Sequence, residues 1–131
     1  MSDAGVRSMF RIGDAEQGEA PGRWTWRVEP VAEHPIHGGH FPGRPITPGA
    51  AMVQLLQHLA SQAHGATLRL KTARHIKFLT PLDPVKCTYF HVRLTLNESG
   101  DGTLGLDAEA NTDAYDGTPM VLLKMKAALA R

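Results

Sequence analysis

The sequence runs to 131 residues, 42% of them hydrophobic and 21% charged, which is enough chain and enough apolar content for one domain with a real core. A net charge of +1 gives no global reason for nucleic-acid binding, so an electrostatic partner must be sought in local patches. Cys87 is the only cysteine, which excludes an internal disulfide framework or a CxxC site and fits a reducing compartment.

Met1 to Gly13 carries Asp3, Arg7 and Arg11 and lacks the apolar core of a signal peptide. No stretch approaches the apolar length that spans a bilayer. The expectation is a cytoplasmic protein with one domain over residues 1–131. Gly13 to Arg23, rich in Gly, Glu and Pro, reads as a surface loop. Arg23 to Glu29 alternates large apolar and polar residues like a half-buried strand, with Trp24 and Trp26 packing on it. From Glu33 to Pro48 the chain is dense in His, Gly and Pro, and Pro35, Pro42, Pro45 and Pro48 block a regular helix.

A helix is predicted from Pro48 to Ala63, with Thr47 as N-cap, Pro48 at the first helical position and Gly65 as the stop. Between Pro45 and Leu68 there is no Asp, Glu, Lys or Arg, so this helix should be buried on nearly all sides. Gln54, Gln57, His58, Ser61 and Gln62 recur at helical spacing and form one uncharged polar stripe. The rest of the chain reads as strands over Thr67–Phe78, Lys86–Leu96, Thr103–Ala110 and Pro119–Ala130. Cys87 falls inside the second of these as a small buried hydrophobe. The last segment has helix-favouring residues, but its place after the Gly117-Thr118-Pro119 turn favours strand. The predicted class is α+β, an antiparallel sheet wrapped around one long central helix.

The chemistry-bearing segment is His40-Phe41-Pro42-Gly43-Arg44-Pro45-Ile46-Thr47-Pro48-Gly49, which runs straight into the uncharged helix. It sets a histidine, able to move a proton near neutral pH, a short way before a helix start. A helix start offers unpaired N–H groups and a positive dipole end, which suit an oxyanion. If the Thr47 hydroxyl caps one of the next amides, the Gly49 N–H can remain free, and Gly leaves room for close approach.

HFPGRPITPG followed by an apolar helix resembles the hotdog-fold 3-hydroxyacyl-carrier-protein dehydratases of fatty-acid synthesis. Ile76 to Pro84 resembles that family's second block, and the likeness extends in element order from Glu33 to Arg131. The shape of Gly39 to Gly49 is also similar to dehydratase-like proteins of aryl-polyene pathways. The resemblance implies a hotdog fold, a dimer, an acyl carrier protein as partner and no cofactor. It implies that His40 removes the C2 proton and that the Gly49 amide polarises the thioester carbonyl. A helix Asp or Glu fourteen residues after the histidine, supplied by the partner chain, normally serves the departing hydroxyl.

Here that position is Gln54, which can orient a hydroxyl but cannot deliver a proton. His58, one turn on, replaces a residue that is usually Gln in the family. Three options stay open: a Gln54–His58 pair shares the role, His40 shuttles both protons, or dehydration is weak or lost. Phe41, Pro48, Leu55, Leu56 and Leu59 are candidates for lining an acyl channel. Arg69, Lys71, Arg74 and Lys77 form a basic stretch that reads either as a docking patch for an acidic carrier or as a solvated strand face. His34, His37 and His40 are spaced by three, but with only Glu33 as a nearby carboxylate they read as loop histidines, not a metal site. Two alternatives to a dehydratase are a non-catalytic subunit pairing with an active paralogue in a heterodimer, and a hotdog thioesterase.

Overall fold

A computed structural model describes residues 3–38 and 45–131. In chain order the elements are α1 (Asp3–Met9), β1 (Phe10–Ile12), β2 (Glu16–Gln17), β3 (Arg23–Pro30), a 3-10 turn (Pro35–Gly38), α2 (Gly49–His64), β4 (Arg69–Phe78), β5 (Phe90–Glu98), β6 (Leu104–Thr112) and β7 (Met120–Ala130). The strands form one antiparallel sheet in the order β1-β3-β5-β6-β7-β4, with β2 also paired to β3. The chain thus leaves β3 near one edge, crosses a face of the sheet through α2, and re-enters at the far edge as β4. This is the hotdog arrangement, an α+β fold with a long helix against an antiparallel sheet.

The helix is buried as its lack of charge requires. Ala51, Met52, Leu55, Leu56, His58, Leu59 and Ala60 are buried, and only Ala50 and Gln62 are exposed. Leu55, Leu56 and Leu59 pack into one core with Trp26, Val28, Phe90, Leu123 and Met125 from the strands. Fully burying a side chain of this size contributes about 1.5–3 kcal/mol, so the helix is held by its apolar contacts. Gln57 and Ser61 tie its C-terminal half to the following turn. Gln57 Nε2 donates to the Leu68 carbonyl (3.1 Å), and Ser61 Oγ accepts from the Leu68 N–H (2.9 Å). Gly65 then ends the helix in the left-handed region, φ 85°, as the sequence predicts.

Four details differ from the sequence reading. The N-cap is Pro48, extended at ψ 143° and making no side-chain cap, so the helix starts at Gly49, not Pro48. The Thr47 hydroxyl is engaged elsewhere. Residues 86–89 precede the strand, which starts at Phe90; the Asp83 carboxylate accepts the Val85 and Lys86 N–H groups and prolongs the turn after Pro84. Cys87 is therefore in the turn's exit, though still buried, with its N–H on the Asp83 carbonyl (2.7 Å). The loop over residues 13–23 holds β2, which adds a short rung to β3. Finally, α1 packs Val6 and Met9 into the core, an element outside the sequence reading. β7 is a strand, as expected: Leu123, Met125 and Ala127 are buried while Lys124 and Lys126 are exposed, a period of two that overrides helix propensity.

Candidate active site

The start of α2 is unusually bare. Its N-cap is proline, its first turn holds no acidic residue, and no side chain caps it. The Ala51 and Met52 N–H groups turn back to the Pro48 carbonyl at 3.0 and 3.3 Å. Gly49 and Ala50 carry the first two amides, which have no intrahelical acceptor by construction. These donors, with the positive end of the helix dipole, suit an oxyanion.

A cavity of about 360 Å³ opens beside this helix start, lined by Ile46, Thr47, Pro48, Gly49, Met52, Phe78, Leu82, Leu122 and Leu123 together with Thr80 and Pro81. Its walls are almost wholly apolar, apart from threonine hydroxyls and backbone. The Phe78 ring lies over Gly49: a Cβ at position 49 would stand 2.7 Å from Phe78 Cζ. Glycine is needed there for proximity. Phe78 is nonetheless 57% exposed, so this wall of the cavity borders the solvent.

Thr47 is held on two sides. Its N–H donates to the Leu82 carbonyl (2.8 Å), and its Oγ1 lies 2.9 Å from His37 Nε2 in a buried contact. The Tyr115 hydroxyl braces the Leu82 turn by accepting the Asp83 N–H and donating to the Pro81 carbonyl. Burial pushes the His37 imidazole below its ordinary pKa, and the neighbouring His34 ring adds to that. The neutral form is therefore favoured, and its Nε2 is hydrogen-bonded with the Thr47 hydroxyl. His34 is satisfied by the Ile36 N–H (3.0 Å) and Ser8 (3.2 Å). Among the described residues no cluster of His, Cys, Asp or Glu could hold a metal ion.

Gln54 and His58 lie on another face of α2, about 140° and 180° around the helix from Gly49. Gln54 is half-buried, and its Oε1 is buried without a hydrogen-bond partner. His58 is buried. Neither lines the Gly49 cavity. Leu55, Leu56 and Leu59 are 0% exposed and lie within the core, not along that cavity; Pro48 and Met52 do line it. His40 and Phe41 lie outside the described residues. The structure thus brings Pro48 and Gly49 together with an apolar pocket, and it sets Gln54 and His58 apart from them within one chain.

The sequence profile of the ApeI dehydratases, described as ApeI-like, matches residues 16–114. The chain belongs to the ApeI-like dehydratase family. Among solved structures, the dehydratase heterocomplex ApeI:P from Xenorhabdus doucetiae matches at a TM-score of 0.70 and 20% identity, covering 92% of this chain and 97% of that one. A putative thioesterase from Lactococcus lactis, yhdA, matches at 0.68 and 12% identity, covering 99% and 96%. The PaaI protein of E. coli matches at 0.65 and 15% identity, covering 98% and 88%. At such identities these likenesses speak for the fold alone. No curated protein matches the sequence.

For an ApeI-like chain, the residues absent from the sequence reading of the site are His37, Met52, Phe78, Leu82 and Leu122. The first was visible as a histidine but not as the partner of Thr47, ten residues on. Met52 lies on α2 itself, one turn from Gly49, whereas Phe78, Leu82 and Leu122 come from β4, the turn after it and β7, which the sheet order brings to the helix start.

The four cations of β4 are all exposed, and none makes an ion pair with a described residue. Lys77 stands opposite Lys124 in the β4–β7 register, and His75 stands opposite Lys126. Lys124 also lies 3.9 Å from Glu109 and Lys126 stands opposite Asp107, so acids of β6 offset part of this positive charge. No helix among the described residues is long and apolar enough to cross a membrane.

Proposed function

We propose that this ApeI-like protein dehydrates 3-hydroxyacyl thioesters carried on acyl carrier protein to trans-2-enoyl thioesters. The observation that carries the reading is the uncapped start of α2 at the mouth of an apolar cavity, in a chain of a dehydratase family. The thioester oxygen would take the Gly49 N–H while the acyl chain lies along Met52, Leu82 and Leu122. Phe41 is assigned to the same channel, from the motif. His40 removes the C2 proton, and the developing enolate is held by the helix amides. Collapse of the enolate breaks the C3–O bond. The proton that His40 took from C2 passes to the leaving hydroxyl, and water departs. Gln54 orients that hydroxyl, because its amide cannot supply the proton.

Two chains make the complete site in this proposal. Gln54 faces away from the Gly49 cavity within one chain and its Oε1 lacks a partner, as suits a residue serving a neighbour's substrate. Strand β4 is the open edge of the sheet, and its unpaired backbone edge is assigned to a partner chain, leaving its cationic side chains outside the seam. Arg74 and Lys77, with Lys124, form the surface assigned to the acidic carrier, and Arg69 and Lys71 extend it along the strand. The whole sequence acts as one domain, and the reaction is assigned to the cytoplasm.

A second reading has a specific motive. The relative from Xenorhabdus doucetiae is a heterocomplex, and Gln54 replaces the acid, so this chain can be the non-catalytic half of such a pair. One experiment separates the two readings from hydrolysis. Mass spectrometry of 3-hydroxyacyl-carrier substrates is run with wild type, His40→Ala and Gln54→Glu. Loss of 18 Da by wild type and not by His40→Ala supports dehydration. Turnover only on mixing with a paralogue supports the non-catalytic half. Release of free carrier thiol identifies a thioesterase, and full dehydration by His40→Ala overturns the mechanism.

A further inference from the structure

His37 is a buried titratable side chain that the proposed chemistry leaves unused. We infer that it is a positioning residue for the oxyanion site: by taking up the Thr47 hydroxyl, it keeps that hydroxyl off the first amides of α2 and fixes how Gly49 presents its N–H. The inference rests on the dehydratase reading for its kinetic part only.

A threonine placed just before Pro-Gly at a helix start is a strong N-cap by propensity. Capping from Thr47 would make Pro48 the first helical residue and would occupy amides that a thioester oxygen needs. The structure shows the other state. Thr47 is 4% exposed and His37 3% exposed, and their contact at 2.9 Å leaves the helix with no side-chain cap. Two bonds from residue 47, to His37 and to Leu82, fix its backbone and side chain together. Pro48 then carries that placement to Gly49, because its ring fixes φ, here −59°.

The imidazole is suited to this task. A purely apolar side chain at 37 would fill the space but leave the buried Thr47 hydroxyl without a polar partner. The nearest alternative is to turn its oxygen to the helix start and accept from the free amides there. Burial and the His34 ring favour the neutral imidazole. Nδ1 is buried without a hydrogen-bond partner, so the contact with Thr47 through Nε2 is the side chain's one polar tie.

The test uses the full-length protein with His37→Ala, His37→Gln and the double variant His37→Ala/Thr47→Val. Amide hydrogen exchange at Gly49, Ala50 and Ala51 is read by NMR, beside kcat and KM for a 3-hydroxyacyl thioester. In His37→Ala the released hydroxyl caps the helix, so exchange at one or more of these amides slows by about tenfold. Adding Thr47→Val restores fast exchange, because no hydroxyl remains to cap. In the same His37→Ala variant kcat falls by about tenfold or more while KM changes by less than about twofold, since an occupied oxyanion donor lowers turnover. His37→Gln, whose amide can still meet the hydroxyl, recovers part of both effects and guards against a folding defect in the alanine variant. Unchanged exchange at all three amides in His37→Ala, or equal slowing in the double variant, overturns the inference. If wild type dehydrates nothing, the dehydratase reading fails, and the exchange comparison still decides the role of His37.

Discussion

His37 Nε2 and Thr47 Oγ1 meet 2.9 Å apart in the protein interior, so the two ends of the segment that carries the His40 motif are joined by a buried bond. Burial holds the His37 pKa below its ordinary value of 6.5, and His34 lowers it further. As pH falls through 6.5 the unfolded chain takes a proton on this residue before the folded chain does. Stability is then lost between 6.5 and the lower folded value. Thermal melts at pH 7.5 and 5.5 should show a drop in Tm that is smaller in His37→Gln. An identical pH dependence in the variant would show that other groups govern it.

Gly49→Ala should damage the site without removing the helix. Alanine favours helix, but its Cβ would stand 2.7 Å from Phe78 Cζ and must push the ring aside. The expected result is a fall in turnover of about tenfold or more with Tm within a few degrees of wild type, since Phe78 is exposed and can swing away. Combining it with Phe78→Ala removes the clash. Recovery of turnover in the pair would show that ring placement, not the methyl group itself, causes the loss.

Gln54 offers a separation of stability from activity. A buried oxygen without a donor costs about 1–3 kcal/mol, and Gln54 Oε1 has none in the single chain. Gln54→Leu should therefore leave Tm equal or higher while lowering dehydration. A Tm loss of many degrees would show that the amide finds a donor in the assembled protein. Gln54→Glu, in contrast, should raise turnover if the missing proton donor limits the rate.

Arg74→Glu/Lys77→Glu should raise KM for a carrier-borne substrate by about tenfold and leave a pantetheine-borne substrate little changed, with the difference shrinking at high salt. The fold tolerates the change at 77, because Lys77 faces Lys124 and an acid there replaces a repulsion with an attraction. Steady-state kinetics with both substrates decides the point. Equal loss on both would remove the carrier surface from this face.

Leu59→Ala tests the core. Leu59 is 0% exposed in the cluster between α2 and the sheet, and truncation should cost about 2–5 kcal/mol in urea unfolding. A cost below about 1 kcal/mol would mean that the helix is not packed as described.

Much of this fold is legible in the chain because its signals are local. The uncharged run from Pro45 to Leu68 announces a buried helix, Gly65 announces its end, and alternation through Leu123, Lys124 and Met125 announces a strand. The helix starts one residue later than Thr47 implies, although Thr47 has the right chemistry for a cap. Its distant partner, His37, withdraws the hydroxyl through a contact that no local pattern encodes. The start of β5 is hidden for a similar reason, since Lys86 to Tyr89 has a strand-like pattern while Asp83 holds Val85 to Cys87 in a turn. Val6 and Met9, three residues apart, carry the helical spacing of α1, and Phe10 already belongs to β1. At the site, the glycine of the motif was legible, whereas the Phe78 ring over it depends on which strand ends beside the helix.

Gln57 and Ser61 give α2 a rotational reference. A helix covered mostly by interchangeable apolar side chains can roll against a sheet at small cost, but these two residues bond the Leu68 backbone and stop it. Gly49 lies about 12 Å up the same rigid rod from Gln57. The phase fixed at the far end of the cylinder is therefore inherited at the amide that meets the ligand, so aim at one terminus is set by an anchor at the other.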